Sequence, residues 1–266
     1  MSIMKKVSAI FFCFFFTGSL AAQDADIKTN DSLSEKKTKV EQHLWFNVEG
    51  GGGWQSVNDV EIPYPNATRF SLVDFGRGPF FVYRFYLGYE INRHYLRAMV
   101  APLTVQVSGK PAQDISFQKI IFPAGVETTG YYTFNSYRLT YAYALVKDDN
   151  FIFRLGFTGK IRDAEIRLKN QFSDEHRANV GFVPLINLGL EYNFWGPLWF
   201  TLDADALWSP YGRAEDVALK LRYDVNPWLN LEAGYRMVEG GAGGGGGVYN
   251  FAWLHYAVFS ARFTFF

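Results

Sequence analysis

From Phe151 to Arg162 the chain reads F-I-F-R-L-G-F-T-G-K-I-R. Odd positions from Phe151 to Ile161 are apolar or glycine, and even positions after Ile152 carry Arg154, Gly156, Thr158, Lys160 and Arg162. A period of two puts successive side chains on opposite faces of a β-strand, one face apolar and the other cationic. The alternation recurs. Phe81, Tyr83, Phe85, Leu87 and Tyr89 oppose Arg84, Tyr86, Gly88 and Glu90, while Val217, Leu219, Leu221 and Tyr223 oppose Asp216, Lys220, Arg222 and Asp224. Taken along the chain, it predicts ten strands, over 43–54, 79–91, 94–107, 131–146, 151–167, 178–194, 198–209, 214–225, 229–239 and 248–266.

The connections separate into two kinds. Asn92-Arg93, Lys147–Asn150, Trp195–Pro197 and Asn226–Trp228 are short and rich in turn-forming residues, whereas 55–78, 108–130, 168–177, 210–213 and 240–247 are mostly longer. Alternating short turns and larger loops fit an all-β, transmembrane, antiparallel up-and-down β-barrel of ten strands, with eight to twelve as the range, carrying lipid outside and charge inside. An even count returns both ends of the barrel to the turn side. The seven tryptophans sort toward strand ends: Trp54, Trp208 and Trp253 at the loop side, Trp45, Trp195, Trp199 and Trp228 at the turn side. This predicts two aromatic girdles at the lipid–water boundaries. The glycine run 240–247 reads as a flexible external loop, since it lacks the Lys-Ser/Thr and the strand-to-helix context of a phosphate cradle.

Composition sharpens the picture. The chain holds 26 Phe, 16 Tyr and 7 Trp at a formal net charge of zero. That balance argues against nucleic-acid binding, which needs a basic excess. Lys5 and Lys6, the apolar run 7–16 and the small residues up to Ala22 predict a signal peptide over 1–22, too short in its apolar part to span a bilayer as a helix. A polar, charge-rich stretch over 23–42 reads as a disordered periplasmic lead, and the barrel as 43–266. Cys13, the single cysteine, falls in the signal segment, so the mature chain has no thiol chemistry to offer.

By parity the inward charges are Arg84, Arg97, Arg138, Arg154, Lys160, Arg162, Glu191, Asp203, Asp205, Lys220, Arg222, Glu232 and Arg236, with Glu90 near the turn end. Counting around the connections at 210–213 and 226–228 sets Asp203 near Lys220 and Arg222 near Glu232. These charges form either a structural plug of ion pairs or a polar pathway or binding cavity. Ten strands lie close to the eight that side chains just fill, far from the sixteen or more of open channels, which favours the plug. The cationic group Arg97, Arg138, Arg154, Lys160 and Arg162 keeps an anionic ligand open. Catalysis has one sequence candidate, Ser173-Asp-Glu-His176 in an expected outer loop, where adjacent residues rarely assemble a triad. No cofactor or metal pattern is present, and no catalytic residue is assigned.

The signal segment, the aromatic-alternating strands and the terminal Arg262-Phe-Thr-Phe-Phe266 resemble the broad superfamily of small Gram-negative outer-membrane β-barrels, over residues 43 to 266. Phe263 and Phe265 alternate cleanly, while Phe266 falls on the opposite parity. The resemblance implies location in the cell outer membrane, among its lipids, and delivery by the barrel-assembly machinery; a monomer is expected, and no activity comes with the architecture. Two readings remain: first, a non-enzymatic structural or loop-binding barrel with a plugged lumen; second, a barrel that is either an enzyme acting on lipid or peptide or a narrow conduit for small anions. A secreted soluble β-sandwich is a third.

Overall fold

The computed structural model describes residues 40–266 apart from Tyr211; the expected signal peptide and residues 23–39 of the expected lead lie outside the described residues. The described chain is strand in almost every stretch where polar and apolar positions alternate. The strands are β1 (Gln42–Glu61), β2 (Phe70–Ser71), β3 (Phe80–Ile91), β4 (His94–Ala101), β5 (Thr104–Gly109), β6 (Ile115–Phe117), β7 (Ile120–Phe122) and β8 (Thr128–Lys147). They continue with β9 (Phe151–Lys169), β10 (Asp174–Trp195), β11 (Leu198–Ser209), β12 (Gly212–Asn226), β13 (Leu229–Gly243) and β14 (Tyr249–Thr264). Neighbours pair antiparallel in the order β1, β3, β4, β8, β9 and onward to β14, and β14 pairs back onto β1. β4 and β5 both pair with β8 and make one wall strand interrupted at Pro102-Leu103, so the closed barrel has ten strands.

Several boundaries move outward from the sequence expectation. β1 continues through 55–61, which was expected to be loop, across a bulge between Gln55 and Val57. β9 and β10 stay paired as far as Lys169↔Asp174, leaving only 170–173 as their connection. β13 runs through Gly243, and Gly240 and Gly241 pair with both β12 and β14, so the glycine run is half wall rather than a free loop. The reason is common to all three: ladder hydrogen bonds reward continuation of an antiparallel pair whatever the side-chain pattern.

Two wall seams are left open toward the loop end. β3 pairs with β4 only up to Phe85↔Val100, so Phe80–Arg84 face β5 without a ladder. β10 pairs with β11 only up to Ile186↔Ala206, next to Pro184. Proline lacks the N–H a ladder needs, and Pro102 and Pro184 stand at these breaks.

The interior divides into two zones. At the loop end, residues from the wall (Val60, Val105, Tyr132, Leu168, Leu254) pack with residues from two inserted connections, 62–79 and 110–127. Leu72 and Phe75, in a 3-10 turn over Leu72–Phe75, and Phe117 and Phe122, in the β6–β7 hairpin, are buried there. The Gln55 side-chain amide of β1 donates to the carbonyls of Leu72 (3.3 Å) and Gly76 (2.5 Å), while a Cβ on Gly130 of β8 would collide with Leu72. The turn therefore reaches from one wall to another. At the turn end the inward positions are polar and charged.

Candidate functional site

The outward surface is built first by strand parity. Along β9, Leu155, Phe157 and Ile161 point out and are exposed, then Asp163, Glu165, Arg167 and Lys169 take the same outward positions. Phe153 to Ile161 is nine residues, in the range of roughly 9–11 a tilted strand needs to cross a bilayer. On β3 the band is Phe81, Tyr83, Phe85 and Leu87; on β8, Tyr137, Leu139, Tyr141 and Tyr143; on β10, Phe182, Ile186 and Tyr192. A soluble protein would not leave so many large apolar side chains in one exposed belt. The chain is a transmembrane β-barrel.

The tryptophan girdles need a correction. Trp54, Trp195, Trp208, Trp228 and Trp253 are exposed at the band's margins, but Trp45 is only 2% exposed and lies inside the barrel. Its indole N–H donates to Glu90 (3.0 Å), and Gly88 on the next strand lacks the Cβ that would overlap its ring. Trp199 also faces inward, its ring 4.5 Å from the Arg222 guanidinium. Being near a strand end did not decide the side; parity did.

All thirteen charges expected to point inward do so, and most of them join one buried network. Asp216 is its centre: Arg84 (2.7 Å), Arg138 (2.7 Å) and Arg236 (2.6 Å) all donate to it. Arg138 also donates to Asp205 (2.8 Å), which accepts from Thr158 (2.7 Å) and Asn187 (2.9 Å). Arg236 continues to Glu49 (2.9 Å) and to the Tyr86 hydroxyl (3.1 Å). Glu49 takes Lys220 as well (3.2 Å), and Lys220 donates to Glu232. Nearer the turn end Arg97 binds Asp203 through its two terminal guanidinium nitrogens, at 2.5 and 3.3 Å, and Glu191 accepts from Arg154 and Arg222. Charges in so dry a place persist only because they are paired and hydrogen-bonded.

Of the two expected cross-strand placements one holds in register, and neither makes an ion pair. Asp203 stands opposite Ala218 rather than Lys220, because the β11–β12 ladder runs on to Ser209↔Gly212 and shifts the count by two residues. Arg222 and Glu232 do stand opposite each other, yet Arg222 binds Glu191 and Asp224 while Glu232 binds Lys220, Ser260 and, at 3.7 Å, Arg262. In a narrow lumen the partner across the bore competes with the neighbour along the wall. Lys160 and Arg162 are the exceptions to pairing: neither has a carboxylate within 4.0 Å among the described residues.

Three network members were missing from the sequence list. Glu49 and Arg262 were signalled by the alternation of Trp45, Asn47 and Glu49 against Leu44, Phe46 and Val48, and of Arg262 against Phe263. Asp216 had been placed on the inner face without its central role. A cavity of about 50 Å³ remains at the turn end, between Trp45, Tyr95, Arg97, Arg154, Asp203 and Arg262. It holds a few waters at most.

His176 is not in a loop. It lies in β10 opposite Arg167, its ring makes no hydrogen bond among the described residues, and the neighbouring Asp174 carboxylate is taken by Arg167. Ser173 donates its backbone N–H to Asn170. The Ser173–His176 stretch thus assembles no nucleophile and base.

No family model matches the chain, and no curated protein matches it. Solved structures overlap it weakly. The transport unit of the autotransporter AIDA-I from Escherichia coli aligns at TM-score 0.43 and 8% identity, over 88% of this chain and 93% of that one. Ail, the attachment invasion locus protein of Yersinia pestis, in complex with the heparin analogue sucrose octasulfate, aligns at 0.40 and 10%, over 84% and 99%. Neisserial surface protein A aligns at 0.34 and 15%, over 84% and 97%. At these values the overlaps carry no argument, and the architecture rests on the geometry above.

Proposed function

We propose that this chain is an integral, non-enzymatic barrel of a Gram-negative outer membrane, closed to solute flow, with its loop end facing outward. The observation that carries the proposal is the double occupation of the bore. Buried ion pairs centred on Asp216 and Glu49 occupy the turn-end half, and the apolar packing of Leu72, Phe75, Phe117 and Phe122 against the wall occupies the loop-end half. Either zone alone leaves little room for a hydrated ion. Both in series make steady conduction costly, since a permeating ion would have to displace paired charges and then cross an apolar layer. The outward orientation follows from the larger connections and the charged outward faces of β9 above the apolar belt. Contact with barrel-assembly machinery and a monomeric state belong to the same reading.

The test is electrical. Protein refolded into planar bilayers is expected to give no stable current steps above baseline across ordinary voltages. Reproducible, large single-channel steps would overturn closure.

A further inference from the structure

The charge network leaves one buried cation unserved. Lys160 is 3% exposed, and no hydrogen bond or carboxylate reaches its ammonium among the described residues; its Nζ lies 4.5 Å from the centre of the Phe134 ring. The acids nearby are already engaged by other donors. Asp205 is taken by Arg138, Thr158 and Asn187, and Asp216 by Arg84, Arg138 and Arg236. The neighbours instead add positive charge. Arg138 is directly opposite Lys160 in the β8–β9 ladder, and Arg162 is two residues on along the same face. Among the described residues Arg162 has only the uncharged Asn179 side chain as partner, and its Nε is buried without one. A cross-strand pair of like charges is unfavourable, and a desolvated ammonium without an acceptor is more so.

This surplus lies beside the open seam between β3 and β5. A cavity of about 20 Å³ opens there, lined by Tyr83, Arg84, Pro102, Leu103, Phe134 and Arg138. Lys160 and Arg162 are not in its lining, but Phe134 and Arg138, which are, also flank Lys160. The volume exceeds the roughly 10–15 Å³ that one water-sized occupant needs. It suits one halide or the end of one carboxylate or phosphate, and no larger polar solute.

We infer that this cavity, with Arg84 and Arg138 in its wall and the unpaired charges of Lys160 and Arg162 beside that wall, is a binding position for one compact anionic group, reached through the wall seam at Pro102. The seam lies level with Val100 and Tyr137 at the upper margin of the apolar belt, so the anion can arrive as a free ion or as the head of an amphiphile from the membrane surface. The inference goes beyond a closed barrel: a silent bilayer recording is compatible with an occupied or an empty Lys160.

The experiment uses the full barrel refolded in a zwitterionic detergent, at ionic strength held with a bulky sulfonate. Thermal unfolding is followed while bromide, inorganic phosphate or decanoate is added. At least one probe is expected to raise the unfolding temperature saturably by several degrees, with no such rise in Lys160→Met or Arg162→Met. A response to bromide or phosphate identifies a free ion; a response to decanoate alone identifies an amphiphile head. Two variants are used so that a folding failure in one leaves the other, with heat-modifiable gel migration as the folding check. An anomalous bromide or phosphate peak beside Lys160 in crystals gives a readout independent of both. Equal stabilisation of wild type and variants, or no response to any probe, would overturn the site.

Discussion

Replacing Asp216 by asparagine keeps the shape of the network's centre and removes its charge. Three guanidinium groups lose an anionic acceptor, from Arg84 at 2.7 Å, Arg138 at 2.7 Å and Arg236 at 2.6 Å. They are not equally exposed to the loss. Arg138 keeps Asp205 at 2.8 Å and Arg236 keeps Glu49 at 2.9 Å, whereas Arg84 keeps only Glu49 at 3.8 Å. The expected cost is therefore close to that of one broken buried pair, about 3–5 kcal/mol, rather than three times that. Asp203→Asn is the internal comparison: it serves Arg97 alone among the arginines, and its side chain is 28% exposed against 3% for Asp216. Water can replace part of that loss, so about 1–3 kcal/mol is expected. Asp174→Asn, at an exposed pair with Arg167, is expected to change nothing measurable. Urea unfolding of the refolded barrel, followed by tryptophan fluorescence and heat-modifiable migration, gives the three values on one scale. If Asp216→Asn costs under about 1 kcal/mol, or less than Asp203→Asn, the network is hydrated and screened, and the argument from desolvation fails.

Gly88→Ala tests the inward seat of Trp45: its new Cβ would overlap the indole, so an overpacking loss of about 1–3 kcal/mol is expected in the same urea assay, although alanine in a strand is ordinarily no worse than glycine. At the turn-end rim, the Lys147 ammonium donates to Glu41 and holds its carboxyl below the usual 4.5, with His43 adding to the effect. A lowered folded value means stability that is present above the unfolded value and lost as pH falls through the folded one, so the rim should loosen below about pH 4.5. Hydrogen exchange of the β8–β9 turn should show this in the wild type and lose its pH dependence in Glu41→Gln.

The period-two pattern was enough to determine the barrel, its ten strands, the outward belt and the inward direction of every charge on the list, because parity is a local property of an extended backbone. Arg84, Lys160 or Arg236 could be assigned a face from two neighbours on either side. Pairing was a different matter. A two-residue change at the β11–β12 turn moved Asp203 from Lys220 to Ala218, and closure of the ring then delivered Asp203 to Arg97 from across the bore. Trp45 and Trp199 looked like girdle residues by position along the strand, and only their packing inside showed otherwise. The folding of 62–79 and 110–127 into the mouth left no periodic trace, since an inserted connection is held by scattered contacts such as Leu72 against Gly130. Alternation along one strand therefore determined which way each side chain points. Closure of ten strands around a narrow bore decided which charges meet, and that Lys160 meets none of the acids among the described residues, because distances across the bore depend on every strand's register at once.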